Sequence, residues 1–260
     1  MSTPPVSTSA NVADRLSPNS KTQQLYRLRL AENLRDLEAA QRLRYQIFNV
    51  EMGEGLASAD ESQMDVDRFD AVCDHLLVEE IASSTLVGTY RVQMGDRALA
   101  GAGFYSAQEF DFTPFLSRAP ELVELGRACV HKQHRNLVVL GLLWKGIVNY
   151  AKDRGGRYLI GCSSLTSQDA AEGMALYQTL AERYLAAPEW QTRPMPGYEC
   201  DAKPGGNPVR APKLMSAYFS IGAKICGEPA LDKEFKTIDF LTWVDIQALP
   251  ESVAARYNLK

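Results

Sequence analysis

The sequence predicts a mixed α/β fold of the α+β kind, one domain built on a central mixed sheet flanked by helices. Three observations carry this reading. An alternating segment at Gln24–Leu30 runs into an amphipathic helical pattern; three strand signals follow that read as an antiparallel meander; and an apolar helix lies between two later strand signals, which implies a crossover. At 260 residues the chain is long enough to bury a large core, and 45% hydrophobic with 23% charged residues is ordinary for a globular protein.

The elements follow in order. Residues 1–23 are rich in Ser, Thr and Pro and read as a flexible tail, leaving 24–260 as the folded domain. Asn33 offers a helix N-cap, and Leu34, Leu37, Leu43, Ile47 and Val50 recur at helical spacing up to Gly53. Between Gly53 and Asp74 the periodicity is lost in an acidic stretch longer than most connections, the kind of loop that often carries function. The strand signals are His75–Ile81, Leu86–Met94 and Leu122–Val130. Leu137–Asp153 has apolar residues on most faces and ends at Gly155-Gly156, so it should pack deep against a sheet before the short buried strand Tyr158–Cys162. Asp169–Tyr184 reads as a second amphipathic helix, Pro188–Pro212 as an irregular surface excursion, and Lys213–Ile221 and Thr237–Val244 as a closing helix and strand.

Composition excludes several classes of function. A net charge of -4 with no basic run gives no field for nucleic acid, so none is expected as a partner. Five cysteines, odd in number and never arranged as CxxC, argue against a disulfide framework and a zinc site; with three histidines, no metal centre is expected, and a reducing cytoplasm fits. The apolar run Leu137–Val148 is broken by Lys145 and falls short of the roughly 20 residues that a membrane span needs. Any membrane contact would be peripheral, on the inner face of the cell membrane.

The most informative stretch is Glu124–Arg135, ELGRACVHKQHR, in which a strand with two charged residues runs into a basic turn and a helix start. Glu124 and Arg127 are an odd number apart, so a regular strand would point them to opposite faces; a bulge or kink at Gly126 would bring them to one side. The turn His131, Lys132, His134 and Arg135, with the following helix N-terminus, forms a plausible phosphate site. Cys129, flanked by Ala128 and Val130, reads as a small packed hydrophobe rather than a nucleophile. His75 reads as a structural hydrogen-bonding residue, and Trp144, Phe48 and Leu140 as core or as the lining of an internal tunnel.

This stretch, with LLWKGIVNYA after it, resembles the signature of bacterial ornithine-lipid ornithine N-acyltransferases, hemolysin-like proteins with a GNAT fold. RYQIF from Arg44, DRFD from Asp67, CDHLLV from Cys73, VGTYR from Val87, FYSAQEFDF from Phe104, YLIGCS from Tyr158 and KLMSAYFSIGA from Lys213 occur in the expected order. More distantly it is similar to acyl-homoserine-lactone synthases and N-acyl amino acid synthases, through Arg44, Phe48, Asp67, Asp70, Arg91, Glu124 and Arg127. An aromatic residue that the lactone synthases carry shortly after Phe48 is missing, which favours plain N-acylation.

The resemblance implies a GNAT-like N-acyltransferase that moves a long, 3-hydroxy acyl group from acyl carrier protein to the α-amine of L-ornithine. Glu124 is then the candidate base, directly or through a water, the alternative being a structural ion pair with Arg127 or Arg91; Asp67 and Asp70 are candidates to hold a cationic group or accept a proton, the alternative being a helix N-cap and solvated charges. Arg44 and Arg91 could bind the acceptor carboxylate or, equally, bridge to the Asp pair; Phe48 and Arg127 complete the acceptor set. Cys129, Val130, His131, Arg135, Asn136 and Gly141 would meet the phosphopantetheine arm, with backbone amides at Ala128–Val130 stabilising the oxyanion. No tightly bound cofactor is implied. CoA-dependent GNAT enzymes carry Arg/Gln-x-x-Gly-x-Gly/Ala at this helix start, whereas here Arg135 is followed by Asn-Leu-Val-Val-Leu before Gly141, which favours a donor with a single phosphodiester. The alternatives are another acceptor, as in glycine-lipid or other N-acyl amino acid synthases, and a non-catalytic lipid- or membrane-binding domain. A Glu124 sealed in the core, with no cleft reaching Arg135, would overturn the enzymatic reading.

Overall fold

The computed structural model describes residues 25–256; the predicted tail at 1–23 lies outside them. The first strand is β1 (Tyr26–Leu30), followed by α1 (Leu34–Tyr45), whose first turn is capped by the Asn33 side chain accepting the Asp36 amide. A π-helical turn, Gln46–Glu51, continues α1, and the long acidic connection contains only the short α2 (Ala59–Ser62). Then come β2 (Asp74–Glu80), β3 (Thr85–Met94), α3 (Gly95–Ala100), β4 (Leu122–Val130), α4 (Leu137–Asp153), β5 (Tyr158–Leu165) and α5 (Ala170–Tyr184). The chain closes with α6 (Lys213–Ser220), the short β6 (Lys224–Ile225) and β7 (Ala230–Asp232), β8 (Thr237–Asp245) and α7 (Glu251–Arg256).

Among the described residues, eight strands form one mixed sheet in the order β1-β2-β3-β4-β5-β8-β6, with β7 also on β8. The pairs β1–β2, β2–β3 and β3–β4 are antiparallel, as the meander reading requires. The β4–α4–β5 crossover makes β4 and β5 parallel, but they pair only from Leu122↔Tyr158 to Glu124↔Ile160. Beyond that point they separate, because β5 keeps its full antiparallel register with β8 while β4 turns away. The strands part just after their tightest approach: a Cβ at Gly161 would lie 2.2 Å from the Leu125 carbonyl oxygen.

Alternation puts Leu76, Val78, Val92, Val123, Leu159 and Phe240 on the face covered by α4, α5 and α6, where the main core lies. The opposite face carries α1 and the segment 95–121, whose Phe104, Phe110, Phe112 and Phe115 pack with Trp190 and Ile160 in a second cluster. Several elements exceed the sequence reading: β5 runs three residues past Cys162, the segment between β3 and β4 folds into α3 and 3-10 turns at Ser106–Gln108 and Thr113–Glu121, and the short α2, β6, β7 and α7 have no counterpart in it. None of the helices among the described residues is long and apolar enough to cross a membrane.

Candidate active site

The site grows from the bulge in β4. In the β3–β4 ladder Thr89 faces Cys129 and Arg91 faces Gly126, so Arg127 and Ala128 together oppose the single residue Tyr90. Arg127 takes φ +50, a conformation that costs a non-glycine residue strain. The extra residue turns the Arg127 side chain to the α1 face, the same side as Glu124, and bends β4 away from β5.

On that face Arg127 joins a buried ion network. Arg44, 0% exposed, donates from Nε to Asp65 Oδ2 at 2.7 Å and from Nη1 and Nη2 to the two Asp70 oxygens at 2.9 and 2.6 Å. Arg91 Nη1 donates to Asp67 Oδ1 at 2.6 Å and Asp70 Oδ1 at 3.1 Å. Arg127 reaches Asp67 Oδ2 at 3.1 Å and lies 3.2 Å from Asp65 Oδ2. Three guanidinium groups thus face three carboxylates, and Gln41 donates to Asp70 as well. Burial alone would raise Asp70, but Arg44 and Arg91 outweigh it and hold the carboxyl well below its usual range; Arg91 and Arg127 likewise keep Asp67 lowered against burial.

This arrangement corrects several expectations. Asp67 and Asp70 have no oxygen to offer a substrate ammonium, and groups held ionised so firmly accept protons poorly. Arg44 and Arg91 bridge to the Asp residues, so neither presents a free guanidinium to an acceptor carboxylate. Asp65, 0% exposed, is a full member that the sequence reading did not single out, although it is the first acid of the DVDRFD run. Phe48 packs with Leu43, Ile47, Cys129 and Phe235 in a small cluster beside the network, which places it in the core. His75, as expected, makes a structural bond, its Nε2 donating to the Asp70 carbonyl at 3.1 Å.

Glu124 also takes a different part from the one expected. It is 5% exposed, and its two oxygens accept the backbone amides of Tyr105 and Ser106, each at 2.8 Å. Burial raises its pKa while those amides oppose the rise. With both oxygens engaged, Glu124 anchors the Ser106 turn to β4 and is poorly placed to take a proton. It also makes no ion pair with Arg91 or Arg127 among the bridges of the described residues.

The Ser106 turn delivers Glu109, 2% exposed, to Asp239 of β8, 3% exposed, and to Cys162 of β5; one ligand atom from each lies within 4.8 Å of the others. Burial pushes Glu109 well above the usual carboxylate range, with Asp239 and Asp232 adding to it; burial likewise pushes Asp239 up to about 6. These residues escaped the sequence reading. The available signal was Asp239, an acid inside the otherwise apolar and Thr-containing strand TIDFLTWV.

Where β4 and β5 part, a narrow cleft of about 30 Å³ opens, lined by Leu125 and Gly161 at the fork, by Tyr90, Trp144 and Tyr218 on the α4 face, and by Cys162 on the other. Tyr90 and Tyr218 close one wall through a hydroxyl–hydroxyl bond of 2.8 Å. The cleft borders Leu125 and Ile160, the chain neighbour and register partner of Glu124, but its lining does not extend to Arg135; with Glu124 buried, the Glu124–Arg135 reaction centre on which the sequence reading made enzymatic activity depend is not formed.

The predicted phosphate turn is a 3-10 turn, Lys132–His134, whose members are partly committed. Arg135 donates to the Val130 carbonyl and pairs with Glu51 at 2.6 Å, and His134 Nδ1 lies 3.0 Å from the Tyr26 hydroxyl. Asn136 caps α4 by accepting the amides of Val138 and Val139, so the helix start satisfies two of its own donors. Gly141 lies one turn further, with open space where a Cβ would stand. Val130 packs against the main core, and Cys129 is buried, its thiol pushed up by burial to about 12, which fits the packed-hydrophobe reading.

A mixed sheet whose parallel central strands splay beside a bulge, with a cleft at the fork and a helix starting just after it, has the architecture of a GNAT acyltransferase. The acetyltransferase (GNAT) domain family matches residues 43–145. The chain is 36% identical to the L-ornithine N(alpha)-acyltransferase of Agrobacterium fabrum, covering 93% of this chain and 90% of that one, and 35% identical to that of Rhizobium meliloti, covering 82% and 77%. It belongs to the L-ornithine N(alpha)-acyltransferase family and is an acyltransferase. The fold is shared at low identity with the TofI structure solved in complex with an inhibitor and MTA (TM-score 0.52, 18% identity, 91% of this chain and 97% of that one). It is shared also with FeeM, an N-acyl amino acid synthase from uncultured soil microbes (TM-score 0.52, 10% identity, 90% and 98%).

Proposed function

We infer that the protein transfers a long 3-hydroxyacyl group from the phosphopantetheine thioester of acyl carrier protein to the α-amine of L-ornithine, giving a lyso-ornithine lipid. The acceptor follows from the names of the relatives, and the observation that carries the chemistry is the cleft at the fork of β4 and β5. Strands that separate leave backbone groups without a ladder partner, and the bulge at Arg127 and Ala128 adds amides aimed away from regular pairing. The neutral amine attacks the thioester carbonyl carbon: a C–N bond forms, the C–S bond breaks, and the departing thiolate takes up the proton that the nitrogen loses, leaving as the thiol. The apolar wall of Leu125 and Trp144 suits an acyl chain.

Acyl carrier protein is favoured over CoA by the start of α4. Asn136 occupies the Val138 and Val139 amides, and the helix start lacks the glycines that would let a pyrophosphate approach. One phosphodiester asks less of that site, with Lys132 and His131 beside it. We place this reaction in the cytoplasm, with peripheral contact to the inner membrane face where the amphiphilic product departs. Acyl carrier protein loaded with a 3-hydroxyacyl chain, incubated with the purified protein and ornithine, should release thiol and yield acyl-ornithine by mass spectrometry. Absence of thiol release with every amino acid tried would end this reading.

A further inference from the structure

Among the described residues, two buried clusters of charge lie on the α1 face, and they are built differently. The Arg44–Arg91–Arg127 network is electrically balanced. The cluster around Glu109 and Asp239 is short of a cation: Asp232 and Glu54 add acidic charge near it, and the guanidinium closest to it electrostatically, Arg127, is committed to Asp65 and Asp67.

The orphaned atoms sharpen the contrast. Glu109 Oε1 and Asp239 Oδ1 are enclosed and accept no hydrogen bond from another group among the described residues, and both side chains are more than nine-tenths buried. Buried acceptors are nearly always satisfied, and here the two carboxyl groups hydrogen-bond to one another through a shared proton, which leaves the pair with a negative charge and no cation of the chain beside it. Their other oxygens are held: Asp239 Oδ2 accepts from the Thr237 hydroxyl at 3.4 Å, and Glu109 Oε2 from the Cys162 thiol at 3.7 Å. The position connects to the reaction centre, since Cys162 lines the cleft at the fork. Glu124 fixes the same region by tying the Ser106 turn to β4.

We propose that the Glu109–Asp239 pair is the subsite that holds the side-chain ammonium of the acceptor, so that the enzyme selects a diamino acid over one with a neutral side chain. This rests on the acyl-transfer reading above and adds to it the place where the acceptor is recognised. Two carboxyl groups this close retain one proton between them, which leaves a single negative charge to match a single ammonium. In ornithine three methylenes separate the α-carbon from that ammonium, so a side chain anchored here leaves the α-amine toward the fork. A divalent metal, held by the two carboxylates and the Cys162 thiolate, is the competing ligand.

The test compares ornithine with norvaline, the acceptor of the same carbon chain without the side-chain amine, using purified enzyme and acyl carrier protein as donor. Wild type should prefer ornithine in kcat/KM. Asp239→Asn, and independently Glu109→Gln, should raise the KM for ornithine by roughly tenfold to a hundredfold and bring the ornithine-to-norvaline ratio of kcat/KM toward one. A folded variant of either kind, by circular dichroism and melting, that keeps the wild-type preference overturns the proposal. So does a wild type that acylates both acceptors equally, with acyl transfer itself left standing. Release of thiol with no amino acid removes the acyl-transfer reading and this subsite with it. Stoichiometric zinc binding to the wild type in calorimetry, lost in Cys162→Ser, would assign the cluster to a metal and overturn the proposal.

Discussion

Replacing Asp239 by asparagine should make the protein more stable above about pH 6 while damaging its choice of acceptor. Burial raises the Asp239 carboxyl from 3.8 to about 6, and the facing acids are Glu109 from the Ser106 turn, Asp232 at the end of β7 and Glu54 after the π-helical turn. A carboxyl whose pKa is higher folded than unfolded stabilises the fold below the unfolded value, and that contribution is lost as pH rises through the folded value. The difference of about 2 units corresponds to about 3 kcal/mol carried as a penalty above about pH 6. Asparagine removes the charge but keeps a buried amide to satisfy, at about 1–2 kcal/mol, so the net gain is about 1–2 kcal/mol and the rise in Tm about 3–6 °C. Thermal unfolding of both proteins followed by circular dichroism from about pH 4.5 to about pH 8 isolates the effect, because the Arg–Asp network is common to both. The gain should shrink toward the acid end. A variant less stable than wild type at about pH 8, or a difference that does not change with pH, would refute the reasoning.

Arg44→Met should cost about 3–5 kcal/mol in urea unfolding, because Asp65 and Asp70 would stay buried without their guanidinium; a loss under about 1 kcal/mol would contradict the network's role. Gly161→Ala places a Cβ 2.2 Å from the Leu125 carbonyl oxygen, so β4 and β5 must shift apart at about 1–3 kcal/mol, with acyl transfer reduced; an unchanged melting temperature would show that the fork tolerates the methyl group. Cys129→Ala should retain turnover, and native Cys129 should resist iodoacetamide at about pH 8, since burial pushes its thiol to about 12. Loss of turnover in Cys129→Ala, with an acylated Cys129 found by mass spectrometry, would reinstate it as a nucleophile.

Much of the fold was legible because its elements carry local signals. The Asn33 cap, the alternation of β2 and β3, and the apolar α4 ended by Gly155 at φ +76 all rest on spacing within one segment. The bulge was legible as well, since Glu124 and Arg127 could share a face only if β4 broke its alternation. The loop 53–74 was marked as functional by its length, and it supplies the three carboxylates of the network.

The roles of the charged residues were not legible in the same way. Whether Asp67 and Asp70 meet a substrate or an arginine depends on where Arg44, Arg91 and Arg127 arrive, and these come from one helix and two strands. Glu124 looked like a base because it stands mid-strand before the phosphate turn, but the segment after α3 folds back and places two amides on its oxygens.

By itself the sequence determined the order of elements, the kinship with the ornithine acyltransferases and the residues of the informative strand, because periodicity, capping and motif spacing act over a few neighbouring positions. Only the tertiary structure decided which charges are already satisfied and which are left wanting. Glu109, Cys162 and Asp239 are far apart in the chain and meet through the Ser106 turn and the β5–β8 register. Desolvation and charge pairing set what an ionisable group can do, and both depend on partners that the fold brings from distant parts of the chain.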